Sequence, residues 1–222
     1  MNIKYEEIIN LKLNQLSDLC GNIFDELKII GEERSFLRKC IKDLAYHHTP
    51  STEHSLRVTA LSYIVGKSVY ASENENYLKG LVYGACLHDI GKTKMPVKLL
   101  DKIDFDDNNK KEIEEHAIKG YCLLKKLEHD FSAEVILRVH EYPIVKPEIE
   151  IGYSDLTINL IKEISRVIAI NDSYDSMRTR KNKKYDLIKS RVLTRSEAFS
   201  ALIKQFEKDK PFIENLYNKG IF

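Results

Sequence analysis

The chain has 222 residues, 43% hydrophobic and 31% charged, which is enough apolar material for one sizeable core and excludes disorder over most of its length. With only 9 Gly and 5 Pro, tight turns are scarce, so a many-stranded sandwich or barrel is excluded and an all-α protein is expected. A formal net charge of +1 excludes a strongly basic surface over the whole molecule, so neither a nucleic-acid partner nor a membrane is expected, although residues 176–222 carry twelve basic against five acidic side chains.

From residue 5 to 30, apolar side chains recur at Ile9, Leu13, Leu16, Ile23, Leu27 and Ile30, spacings that mark one stripe of a helix stopped by Gly31. A second helix fits residues 33–46. Residues 1–48 therefore read as an N-terminal helical hairpin packed on the remaining domain, 49–222. The other use for such a stripe is an oligomer contact, a homodimer through these helices.

Thr49 and Pro50 mark a helix start, with a hydroxyl to cap free amides and a ring suited to the first turn. The helix runs to about Tyr70, and its inward stripe Val58, Leu61, Val65 and Val69 extends back to His54. From Tyr77 to Ile90 a further helix turns Leu78, Leu81, Val82 and Ala85 inward, with His88 and Asp89 continuing that face, and Gly91 reads as a left-handed stop after which Lys92 emerges.

After an acidic loop at 101–109, a helix over 110–128 buries Ile113, Ala117, Gly120, Leu124 and Leu127 and turns His116 inward. Ser132 reads as the cap of a shorter helix whose face Ala133, Ile136 and Leu137 leads to His140. A loop covers 144–155, and the next helix carries Ile161, Ile164, Ile168 and then Asp172 in line. The run from Arg178 to Lys184 holds five basic residues in seven positions, and Thr194 with Glu197 makes a capping box for a last amphipathic helix with Ala198, Leu202 and Phe206 inward.

The cysteines Cys20, Cys40, Cys86 and Cys122 lack a ligand-like spacing and read as reduced core residues. Neither a charged-then-apolar leader nor an apolar run approaching about 18 residues is present, which predicts a soluble, cytoplasmic protein.

Inward polar groups must be paired or metal-bound. A single one, such as His140, is accounted for by a hydrogen bond to a backbone carbonyl. Four histidines and two aspartates on inward faces, His54, His88, Asp89, His116, His140 and Asp172, are more than a satisfied core needs. Nitrogen and oxygen ligands without thiolate suit Mn, Fe, Ni, Co or Zn, so one or two divalent transition-metal ions are expected. Two such ions are a standard arrangement for phosphoester hydrolysis.

LHDIGKTKMP at 87–96 resembles the signature of the HD-GYP branch of the HD-domain metal-dependent phosphohydrolases. EHSLRV at 53–58, EEHAIKGYCLL at 114–124, VHE at 139–141 and RVIAINDSYDSM at 166–177 resemble further segments of that family, in the same order. The resemblance implies an HD-domain helical bundle in which His54, His88, Asp89 and Asp172 hold a first metal, and Asp89 bridges to a second held by His116 and His140. It implies Lys92 as the group that contacts the substrate phosphate or protonates the leaving oxygen, with Asp89 also at the reacting centre. The basic run stands where the family often carries an arginine-rich segment, which makes Arg178, Arg180 and Lys184 candidates for substrate binding.

Three departures accompany the resemblance. Pro50 stands where trinuclear members carry a glutamate, Val139 replaces the first histidine of the HHE segment, and the DGxGYP loop is absent from its usual place. The implied function is a phosphohydrolase or phosphodiesterase acting on a nucleotide, a cyclic dinucleotide such as cyclic di-GMP first, through attack by metal-bound hydroxide. The alternatives are a signalling module that binds a nucleotide or protein without turnover, and an HD-fold di-iron oxygenase.

Overall fold

The computed structural model of the chain describes residues 4–69, 75–102, 106–140, 152–180 and 191–222. Among them are eleven α-helices, two short 3-10 turns and no strand, the all-α fold that the composition predicts.

The N-terminal stripe does not form one helix. It is divided into α1, Tyr5–Ile8, and α2, Leu13–Glu26, before α3, Gly31–His47. The apolar period hides the break because Ile9 and Leu13, on either side of it, both still pack against core residues. The chain reverses at Lys28, whose φ is +53°, so that Ile29 is fully buried and Ile30 points to solvent instead of inward. Gly31, with φ +59°, opens α3 rather than stopping the preceding helix. Leu16, Ile23 and Leu37 from these helices join Leu56, Ala60, Val82 and Ile136 in one apolar cluster, so the hairpin's stripe is spent inside the chain.

Helix α4, Thr49–Val69, is buried on nearly every side and runs between this cluster and a second one built with α9 and the C-terminal helices. Its start is capped differently from the sequence expectation. The Thr49 hydroxyl donates back to Ala45 O at 3.4 Å, and the amide of Ser51 donates to Nδ1 of His48 at 3.2 Å. An imidazole thus takes the capping role expected of the hydroxyl.

Helix α5, Glu75–Leu87, leads into a 3-10 turn at Ile90–Lys94, followed by α6, Val97–Leu100, and α7, Asp107–Lys126. Gly91 is not a left-handed stop. A Cβ there would stand 1.9 Å from the carbonyl oxygen of His116 and 2.5 Å from the amide nitrogen of Gly120, so glycine is required because the turn lies on the backbone of α7. The carboxylate of Asp106 caps α7 by accepting from Asn109 N at 2.7 Å. Leu127, expected inward, follows the helix and is exposed.

Helix α8, Asp130–Val139, begins two residues before the expected Ser132 cap, which places Ser132 in its first turn, buried. Helix α9, Asp155–Thr179, is capped by Ser154, whose hydroxyl accepts from Thr157 N at 3.2 Å. Thr194 and Glu197 form the expected capping box of α10, Arg195–Gln205. A second 3-10 turn and α11, Lys210–Asn218, then return the chain so that Phe222 stacks on Tyr174, ring centroids 4.4 Å apart. Cys20, Cys40 and Cys86 are buried and free, whereas Cys122 is exposed and does not belong to the core as expected.

Among the described residues, no helix is long and apolar enough to cross a membrane. The early part of α4, the end of α5, the middle of α7, the end of α8 and the second half of α9 bring the inward polar residues together.

Candidate metal centre

The six inward residues converge as two linked groups. The ligand atoms of His54, His88 and Asp172 lie within 4.8 Å of one another, as do those of Asp89, His116 and His140. Asp89 joins the groups because its two oxygens face opposite ways. Oδ1 is 3.3 Å from His116 Nε2, while Oδ2 is 3.7 Å from His88 Nε2 and 3.9 Å from His54 Nε2. Across the second junction, Asp172 Oδ1 is 2.8 Å from His54 Nε2 and its Oδ2 is 3.7 Å from His140 Nδ1.

Backbone carbonyls fix the ring tautomers. Nδ1–H of His88 donates to Ala85 O at 2.8 Å, and Nδ1–H of His116 donates to Ile113 O. Each bond leaves Nε2 as a lone pair directed into the cluster. His88 Nε2 is buried without a hydrogen-bond partner, and so is Asp89 Oδ1, whose neighbour at 3.3 Å is the unprotonated nitrogen of His116. His116 Nε2 and His140 Nε2 also approach to 2.9 Å.

Converging lone pairs with two orphaned acceptors would be costly in an apolar interior. A cation among them removes that cost, so the donor set fits one or two divalent ions. Burial lowers the pKa of His88, and burial together with nearby His116 lowers that of His140 strongly, favouring the neutral rings that ligate metals. Burial alone would raise the carboxyl groups of Asp89 and Asp172. Lys92 beside the first, and the hydrogen bond from His54 to the second, outweigh it and hold both well below the usual carboxylate range.

A third carboxylate, Asp175, supports this cluster, and sequence reasoning had assigned it no role. It is fully buried and accepts Nδ1–H of His54 at 2.7 Å, Nε–H and an Nη–H of Arg57 at 2.9 and 3.2 Å, and the hydroxyl of Tyr5 at 2.7 Å. Arg57 and His54 hold it ionised against the upward push of burial. Its signal was the i, i+3 spacing from Asp172, matched on α4 by the same spacing from His54 to Arg57.

The basic candidates separate. Lys92 is buried and donates from Nζ to Asp89 Oδ2 at 2.6 Å; burial lowers its pKa against the pull of that carboxylate. Arg180 is partly exposed, with a guanidinium nitrogen 4.0 Å from the same oxygen, which puts a cation at the rim. Arg178 is not brought to the cluster. Its guanidinium donates to both oxygens of Glu6, at 2.6 and 3.1 Å, and to the hydroxyl of Tyr174 at 3.1 Å. Lys184 lies outside the described residues, as do Glu141 to Ile151 at the expected loop after His140. Val139, in the position of the missing histidine, is buried in the apolar core.

A family model, described as the HD domain, matches residues 52–202, well over half of the chain and all six clustered residues. No curated protein and no solved structure is matched.

Proposed function

Since the chain belongs to the HD-domain family, a superfamily of metal-dependent phosphohydrolases, we propose that it hydrolyses a phosphoester bond in a nucleotide, a cyclic dinucleotide being the first candidate. The observation that supports a two-ion centre is the placement of Asp89, one oxygen toward each ligand group.

When bound, divalent cations supply Lewis-acid polarisation of the phosphoryl oxygens and a water acidic enough to ionise near neutral pH. The chain's own residues supply the rest. His54, His88, His116 and His140 direct nitrogens at one centre, and Asp89 and Asp172 bring negative charge to it. Lys92 places an ammonium where a phosphate oxygen or a departing alkoxide gains charge, in surroundings that exclude most water and strengthen its field. Arg180, nearer solvent, is suited to meeting a second phosphate or the entering anion.

Purified protein supplied with Mn²⁺ should cleave bis(p-nitrophenyl) phosphate and at least one cyclic dinucleotide. Both activities should vanish with a chelator and in Asp89→Ala. Turnover of the model diester that survives either treatment contradicts the hydrolytic proposal, and metal-loaded protein that binds nucleotides without cleaving them favours a binding module.

A further inference from the structure

The matched family segment begins at residue 52, yet one contact to its polar centre comes from far earlier in the chain. Tyr5, on the four-residue helix α1, is 1% exposed and donates its hydroxyl to Asp175 Oδ1 at 2.7 Å, across 170 positions of sequence. The other oxygen of that carboxylate accepts Nδ1–H of His54 at 2.7 Å. His54 in turn directs Nε2 to the first ligand group, 2.8 Å from Asp172 Oδ1.

The phenol ring is tilted against Tyr174, ring centroids 5.1 Å apart, and the adjacent Glu6 grips Arg178 with both oxygens. Helix α1 is thus held onto the last turns of α9 by two side chains with different targets. Among the described residues the Glu6 carboxylate bonds to Arg178, whereas Tyr5 reaches the carboxylate that orients a ligand imidazole.

We infer that Tyr5 is a positioning residue of the metal centre, acting through Asp175 on His54, and that helix α1 is an integral part of the site. The hydroxyl fixes the rotation of the Asp175 carboxylate, leaving its Oδ2 in line with His54 Nδ1 and Arg57. A rigid acceptor there holds the ring plane and the tautomer of His54, and so reduces what an incoming ion must organise. The inference rests on the metal-centre reading of Proposed function, so its test measures ion binding before any activity.

Metal affinity is measured by competition with a chromophoric chelator, with Mn²⁺ or Zn²⁺ as the probe, on the full chain as wild type, Tyr5→Phe and Glu6→Gln, each with its thermal midpoint. Tyr5→Phe keeps the ring and removes only the donor, and affinity for the first ion should fall by about tenfold, the lower edge of the range for an outer-shell partner. Glu6→Gln loosens the same helix without touching Asp175, so it should lower the midpoint and leave affinity within about twofold of wild type.

Wild-type protein that binds no ion overturns the metal-centre reading, and this inference with it. Wild-type binding that is unchanged in Tyr5→Phe overturns the inference alone. Equal weakening by Glu6→Gln overturns it as well, because docking of α1 in general would then be responsible. Should Tyr5→Phe fail to fold, Asp175→Asn gives the decisive comparison: affinity retained by that variant contradicts a relay through Asp175.

Discussion

Lys92 Nζ and Asp89 Oδ2 are 2.6 Å apart, and both side chains are almost completely shielded from solvent. The pair has a double character. Without an ion, the ammonium is the nearest compensation for a carboxylate held ionised in the interior; ions held by the proposed centre would take over that compensation and leave the ammonium free for the anionic substrate proposed above.

Lys92→Met should therefore be costly to the chelator-treated protein, by about 3–5 kcal/mol, because it strands a buried charge. Added Mn²⁺ should recover much of that loss, since a cation takes over the compensation. In the loaded protein, kcat should fall about 100- to 1000-fold with metal content unchanged. Denaturant unfolding with and without metal, set beside steady-state kinetics, checks each part.

Arg180 and Arg178 are two residues apart and should behave differently. Arg180→Ala removes the cation at the rim, so KM for a phosphoanion should rise with little change in thermal midpoint. Arg178→Ala breaks the Glu6 and Tyr174 contacts, so the midpoint should drop by a few degrees and KM should hold, apart from what loosening α1 costs. The same kinetic change in both variants would contradict this division.

Gly91→Ala should prevent normal folding or cost about 3 kcal/mol or more, because the new methyl group meets backbone atoms of α7 that cannot swing aside. Circular dichroism and denaturant titration read this directly. A variant as stable as wild type would mean that the 3-10 turn does not rest on His116 and Gly120 as described.

Most of the ligand set was legible because each member extends an apolar helical face by three or four residues, so a polar side chain at that register has to point inward. The same logic failed where periodicity continues through a break: Ile9 and Leu13 keep their spacing although the chain leaves the helix between them. Asp175 escaped assignment because its signal, the i, i+3 spacing from Asp172 on an already polar helix face, does not distinguish a supporting carboxylate from a ligand, and Tyr5 because its partner lies 170 positions away. Arg178 was misplaced for a related reason. A basic run gives charge and approximate location, while the acid that captures one member, Glu6, is remote in sequence.

His48 gives a pH test outside the ligand set. Its Nδ1 caps α4 and its Nε2 is 3.2 Å from Asp101 Oδ1, while Lys92 and Arg180 disfavour a proton on the ring. Burial lowers its pKa first, and the attraction of Asp101 does not fully restore it. A depressed histidine stabilises the fold above its unfolded pKa of about 6.5, and this contribution is lost as pH falls, since the unfolded chain takes up the proton more readily. In chelator-treated protein the midpoint should thus decline between about pH 7.5 and 5.5, and His48→Asn, whose amide oxygen can still accept at the helix start, should decline less steeply. Parallel pH profiles for the two proteins would show that His48 titrates no differently when folded.

The most direct measurement is an anomalous difference map from crystals grown with Mn²⁺, recorded near the manganese edge. Density is expected between His54, His88, Asp89 and Asp172, with a second, weaker peak where Asp89, His116 and His140 meet. A map featureless at both places, from crystals in which those six side chains remain gathered, would contradict that expectation.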